Sequence, residues 1–262
     1  ISELRTAIET ANANSQADVI NLTSDIEVTA DHPNQNGNAV RFISSDITIN
    51  GGGHQIFRNA SNDPNNNFSR FRFTALTGYT ELTLNDITFE NFFLNDNNGG
   101  GVYARLGAEI RLYNTTIANN FAGGLGGGIL NFDASITLRN SIIAGSMSGS
   151  DCVSAFNSIA SDEKNIIQDG SCGTSALAVD PKLDLLNNNG GRTRTHALLK
   201  NSPAIDAGNG GGCAAAPVNN LDQRGERRPF GDVCDIGAIE FGDRSNFFVI
   251  PLPNGKSVTV NL

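Results

Sequence analysis

Asp222, Arg224, Arg227, Arg228, Asp235 and Glu240 bring carboxylates and guanidinium groups together in one short stretch near the C-terminus. Acids beside a strong cation are what polysaccharide cleavage requires, either as calcium ligands next to a basic residue or as an acid pair at a set separation. The sequence around them points elsewhere. Asp206 and Asp235 sit in turn-like segments two residues before Gly208 and Gly237, and arginines can clamp carboxylates and carbonyls across neighbouring turns. Ion-pair networks of that kind imitate perturbed sites, so we read the group as structural. Calcium bound by these loops is the alternative, although EF-hand spacing is absent. His32, His54 and His196 lie in separate contexts without paired metal-ligand spacing, and His196 reads as a structural hydrogen-bonding residue. Glu81 and Glu109 occupy equivalent places in two similar segments, but the third such segment has Ser135, so they read as single charges on solvated strands. No catalytic, cofactor-binding or metal-ligating residue is assigned.

Cys152, Cys172, Cys213 and Cys234 form no C-x-x-C pair, which argues against zinc and thioredoxin chemistry. Sequence-adjacent pairing would close two loops of about 20 residues and stabilise each by about 3 kcal/mol. Disulfides imply an oxidising compartment; four unrelated buried thiols are the alternative.

The elements that carry these residues follow from a repeat. Glu81 to Phe89 (ELTLNDITF), Glu109 to Ile117 (EIRLYNTTI) and Ser135 to Ile143 (SITLRNSII) superpose, with starts 28 and 26 residues apart. Gly99 to Ala104 (GGGVYA) and Gly126 to Asn131 (GGGILN) recur in phase, 27 apart. Two tracks at one period describe a coil. Alternation sends Leu82 and Leu84, then Ile87 and Phe89, to one face, the lumen of a stack. Asp86, Asn114 and Asn140 align where the alternation breaks, as residues that tolerate a left-handed corner. The glycine triplets mark another corner. Asp46 to Asn50 (DITIN) is the same unit one coil earlier, with Asn59 to Asn67 as an inserted loop, and Val19 to Leu22 with Ile26 to Val28 begins the first coil. On the outward face the aligned positions are Thr83, Arg111 and Thr137, then Asn85, Tyr113 and Arg139, with no carboxylate cluster.

The expected fold is a single-stranded right-handed parallel β-helix of one domain over residues 17–241, with disulfide-stapled C-terminal coils. Residues 1–16 form a capping helix with Ser2 as N-cap and Leu4, Ile8 and Ala11 on its apolar stripe. Residues 242–262 form a hairpin about Asn254-Gly255. Phe247, Phe248, Val249, Ile250, Val258, Val260 and Leu262 are its candidate assembly residues, because an unpaired strand edge can add onto another chain.

Composition agrees: 29 glycines and 34 asparagines, one Met and no Trp favour turns and strands. A net charge of −9 argues against nucleic acid and anionic membranes, and no apolar run is long enough to span a bilayer. The start at Ile1 without Met reads as a mature product.

Ser2 to Ala13 (SELRTAIETANA), Leu183 to Leu199, Ser202 to Gly208 (SPAIDAG), Asp222 to Pro229 (DQRGERRP) and Cys234 to Glu240 (CDIGAIE) carry a family resemblance. Together with the coil period, they resemble the bacterial choice-of-anchor Q domain proteins, secreted right-handed β-helix proteins related in pattern to polymorphic outer-membrane repeats. The resemblance implies cysteines at these four positions and attachment to the cell surface. Two functions are therefore expected in turn: a non-catalytic extracellular structural or adhesive protein that assembles into filaments or holds a surface glycan, and, as alternative, a polysaccharide lyase or hydrolase.

Overall fold

The computed structural model describes residues 1–29, 32–33, 38–58, 74–76, 78–94, 98–155, 159–161, 164–173, 176–242, 247–251 and 257–261. The Asn59 to Asn67 insertion, the Asn254-Gly255 turn and Leu262 lie outside the described residues.

Apolar alternation in the repeat units becomes parallel pairing between successive coils. The first sheet runs β1 (Asp18–Asn21), β3 (Ile47–Asn50), β6 (Glu81–Asn85), β10 (Glu109–Tyr113), β14 (Ser135–Arg139) and β17 (Ile159–Ser161). Glu81 pairs with Glu109 and Glu109 with Ser135, so the repeat alignment is also the structural register. The early unit pairs as Ile47 with Leu82 and Ile49 with Leu84. A second sheet stacks β2 (Ile26–Glu27), β4 (Gln55–Phe57), β7 (Thr88–Glu90), β11 (Thr116–Ala118), β15 (Ile142–Ala144) and β18 (Ile166–Ile167). A third contains β5 (Thr74–Leu76), β9 (Val102–Arg105), β13 (Ile129–Phe132) and β16 (Cys152–Ser154). The short pair β8 (Phe93–Leu94) and β12 (Phe121–Ala122) completes the coil, with Phe93 and Phe121 stacked at 4.1 Å.

The lumen is continuous. Leu82, Leu84, Ile110, Leu112, Ile136 and Leu138 from the first sheet meet Phe89, Ile117 and Ile143 from the second in one buried cluster. Truncating one such side chain to Ala typically costs about 2–5 kcal/mol.

Corners are set by backbone chirality. Asp86, Asn114 and Asn140 have φ of 50°, 49° and 54°, the left-handed region that Asn and Asp tolerate. A second left-handed ladder, Asn91, Asn119 and Gly145, lies ten residues after the start of each repeat unit. The Gly99–Gly101 corner needs glycine for lack of room: a Cβ on Gly100 would lie 2.3 Å from the Phe121 carbonyl oxygen.

Helix α1 (Ser2–Asn12) closes the N-terminal end, burying Leu4, Ile8 and Ala11 in the same cluster as Ala39, Val40 and Ile43. One detail differs from expectation. Ile1 is the N-cap and no side chain caps the helix; Ser2 is already its first residue, and its carbonyl accepts from the Thr6 hydroxyl. Burial of the apolar stripe, not a cap hydrogen bond, fixes this helix.

The coils end earlier than expected. After β18, residues 176–242 contain only the short helix α2 (Gly210–Ala214) and isolated bridges. This segment turns back along the outer face of the second sheet. Leu177 pairs with Ile166 in the last coil, while the Thr193 hydroxyl donates to Asp25 in the first, at 2.7 Å. Consequently β4, β7, β11 and β15 are buried at every residue, on both faces. Finally, β19 (Phe247–Pro251) and β20 (Ser257–Asn261) pair antiparallel as a separate two-stranded sheet, with Phe248 opposite Val260 and Ile250 opposite Val258.

Candidate functional site

The acids and arginines near the C-terminus meet where the return segment crosses the coils. Arg228 is the largest fully buried side chain among the described residues, and its guanidinium donates to the carbonyls of Asp235, at 2.7 Å, and Gly237, at 3.1 Å. Its Nε lies 3.4 Å from a Glu240 carboxylate oxygen. Glu240 in turn accepts from the backbone N–H groups of Phe230 and Asp235. Asp222 pairs with Arg224 at 2.8 Å and accepts from the N–H groups of Arg224, Glu226 and Glu240. Asp235 accepts from the N–H groups of Asp206 and Phe241. Buried charge is tolerable here because partners with directed hydrogen bonds surround most of it.

Two carboxyls in this region sit far from their ordinary range. Burial pushes Asp86 up to about 7, with Arg228 opposing the shift and Asp222 adding to it. Burial likewise pushes Asp235 up to about 7, against the two backbone N–H groups it accepts from, with the Glu240 charge adding to the rise.

The same segment is stitched to the coil corners. Gln223 accepts from the Thr88 hydroxyl, at 2.6 Å, and donates to the His54 carbonyl. The Asn140 amide donates to Asn114 at 2.6 Å and to the Asp235 carbonyl at 3.1 Å, and accepts from the Asn209 N–H. That amide also lies 3.1 Å from the Cys213 sulfur. The chain is covalently closed as Cys152–Cys172 and Cys213–Cys234, leaving no free cysteine. The first disulfide joins β16 to the end of the stack; the second lies wholly within the return segment and rests on the asparagine ladder.

Each histidine faces an acid. His196 Nε2 lies 2.7 Å from a Glu90 oxygen, with Nδ1 2.7 Å from the Asp184 carbonyl. Burial alone would lower the His196 pKa, but the bond and charge of Glu90 raise it overall. His32 lies 2.8 Å from Glu9, and His54 lies 3.3 Å from Asp25. Among the described residues, no group of three or more His, Cys, Asp or Glu side chains is placed to hold a metal ion. No helix among them is long and apolar enough to cross a membrane.

The outward face of the first sheet is occupied by internal pairs. Arg111 bridges Glu109, at 2.8 Å, and Glu81, at 3.1 Å, and Glu81 also accepts from Thr83. Asn85 donates to Asn50 and Asn50 to Asn21, forming a side-chain ladder, while Arg139 lies over the Tyr113 ring.

A cleft of about 540 Å³ opens on the outside of the return segment. Asn188, Asn189 and Gly190 border it together with Arg224, Glu226, Arg227, Phe230 and Phe241. Arg224 holds the walls together, donating to the carbonyls of Asn189 and Glu240 while paired with Asp222. Of the arginines expected to act as clamps, Arg224 and Arg228 do so. Arg227 instead borders this cleft as an exposed residue, without an ion pair among the described residues.

A family model described as "Putative pectate lyase-like adhesive domain" matches residues 3–125, somewhat under half of the chain. The match takes in α1 and the coils through β12 and stops short of the return segment. It fits a parallel β-helix protein, as the sheets show. No curated protein and no solved structure matches the chain.

Proposed function

We infer that this chain is a non-catalytic extracellular adhesive module. The supporting observation is the state of the two faces on which stacked strands would present an acid pair. On the first sheet, Glu81 and Glu109 are both engaged by Arg111. On the second, Glu90 lies beneath the return segment, bound to His196. Among the described residues, these three stacked carboxylates are each engaged within the chain. The adhesive description of the matching family model supports the same reading. Two disulfides fit an oxidising, extracellular setting, and the resemblance to choice-of-anchor Q proteins extends this to a bacterial cell surface.

Self-assembly belongs to the same reading. β19 and β20 pair only with each other among the described strands. A two-stranded sheet has two edges, and an edge is a template for a strand of a second copy. Head-to-tail addition of that kind gives filaments. Light scattering at rising concentration, with and without residues 247–262, tests it: growth that disappears on truncation is expected, and a monomer at all concentrations overturns it.

The alternative, lyase chemistry on an acidic polysaccharide, is favoured by the words "pectate lyase-like" in the family description. One experiment separates the two. Immobilised acidic and neutral polysaccharides are exposed to the purified chain, with calcium and with a chelator. Retention without new reducing ends or unsaturated products is expected; turnover that scales with protein would overturn the adhesive reading.

A further inference from the structure

We propose that the return segment is a proton-operated strap: it lies closed over the second sheet while Asp86, Asp235 and His196 hold protons, and lifts at the β2–β7 end as they lose them. This goes beyond the adhesive reading and does not rest on it.

The contact between strap and sheet changes character along the stack. Towards β15 and β18 it is apolar, with Ile142, Ala144 and Ile166 packed against Leu198, Ala204 and Ile236 in one cluster. Towards β2 and β7 it is polar. There the Thr193 hydroxyl donates to Asp25, Gln223 joins the Thr88 hydroxyl to the His54 carbonyl, and His196 meets Glu90. This polar end is also incompletely satisfied. His54 Nε2, Gln55 Oε1, Asp86 Oδ1, Glu90 Oε1 and Arg228 Nη1 are buried without a hydrogen-bond partner among the described residues. Lifting gives each of these atoms a partner in water, so the polar end opens before the apolar one.

The titratable groups sit where that end is held. Asp86 occupies the left-handed corner that Asn114 and Asn140 occupy in the next two coils, so a carboxyl stands where an amide turns the chain equally well. It faces Arg228 and Asp222 of the strap, and burial keeps it protonated up to about pH 7. Asp235, beside Glu240 and Arg228 within the strap, is kept protonated to the same point, again by burial. Burial disfavours the charge on His196, but Glu90 of β7 and Asp184 of its own segment raise its pKa overall. Other charged groups on the elements packed here are Asp25, which faces His54, Glu27 of β2, Arg194 over the Phe57 ring, Arg58, whose N–H donates to the Glu90 carbonyl, and Arg224, paired with Asp222.

All three shifts act in one direction. Ionised Asp86 or Asp235 is a buried charge that water would solvate, and a neutral His196 leaves Glu90 buried without its cation. Rising pH therefore disfavours the closed strap at three points, and lifting relieves each. Ile56 and Phe89 point into the lumen, so the lifted strap uncovers their outward neighbours Gln55, Thr88 and Glu90.

Hydrogen exchange on the full chain at pH 5 and pH 8, with labelling times scaled for the intrinsic rate, tests the strap. Protection in residues 188–196 and 221–228 falls at least tenfold at pH 8, while residues 198–205 and strands β10 and β14 change less than twofold. Asp86→Asn keeps the fold, since Asn serves the same corner at 114 and 140, and reduces the fall in 221–228 at least threefold. His196→Gln, unable to carry a proton, leaves 188–196 equally open at both pH values. Equal loss across strap and coils, no pH dependence in the strap, or an Asp86→Asn chain with the wild-type profile overturns the proposal. The wild-type comparison decides by itself even where a variant fails to fold.

Discussion

The described strands from Asp18 to Ile167 fold by repetition, stacked coil on coil, whereas residues 176–242 hold no strand and run across those coils. In the stack, the side chains that matter are Ile, Leu and Phe in a common lumen, while the polar corners turn the chain and, at Asn140, hold the return segment. In the return segment, the buried groups that matter are Arg228, Asp222, Asp235, Glu240 and His196, with a disulfide. Apolar burial is non-directional and tolerates gradual change along a stack. Buried polar groups are held in specific pairs, so each partner requires the other. Such pairs can fix one loop against another at the set distance a cleft needs.

The comparison can be broken at either end. Arg228→Met removes a buried cation from Glu240 and two carbonyls; a loss of about 3–5 kcal/mol is expected, read by chemical denaturation. Loosening should centre on residues 176–242, and hydrogen exchange that rises equally in β10 and β14 would put the return segment inside the cooperative core. Leu112→Ala, in the lumen, should cost about 2–5 kcal/mol and lower protection across all coils together. Replacing Cys213 and Cys234 together with Ala should cost about 3 kcal/mol while the far-ultraviolet β signal persists, because that loop holds no strand.

Acidity sharpens the contrast further. Asp86 and Asp235 carry pKa values of about 7 in the folded chain against 3.8 ordinarily, so the unfolded chain loses these protons first. Their contribution is fully present below about pH 4 and is lost as pH rises towards about 7. His196, raised above 6.5, acts in the same sense, its contribution lost as pH climbs through its folded value. The melting temperature should therefore be higher at pH 5 than at pH 8, and Asp86→Asn should flatten the profile. A midpoint that climbs with pH would contradict the buried-carboxyl account. The smallest effect belongs to the open face: Arg111→Ala, in a partly exposed network, should change stability by less than about 1 kcal/mol.

What could be read from the residues divides along the same line. The coils were legible because repetition samples each position several times: Leu84, Leu112 and Leu138 announce the lumen, and Asp86, Asn114 and Asn140 the corner. The Asn91, Asn119 and Gly145 ladder carried the same kind of signal at a fixed offset and could have been found. Nothing comparable marks the return segment. The bond from Thr88 to Gln223 spans 135 residues, and no periodicity in Asp222 to Glu240 says that the chain doubles back instead of adding another coil. The cleft was illegible for that reason, since its walls meet only through this reversal. The roles of Arg224, Arg227 and Arg228 look alike in sequence and differ through burial alone. Expecting coils as far as residue 241 followed from extending the period past Ile167, where the apolar alternation is replaced by turns.

The central claim is that the coils are held by a shared apolar lumen and the return segment by buried polar pairs, so the two respond separately to stress. Hydrogen exchange on the full chain in rising denaturant tests it most directly. Loss of protection in residues 176–242 ahead of β6, β10 and β14 is the predicted result. Loss in both regions at one denaturant concentration would contradict it.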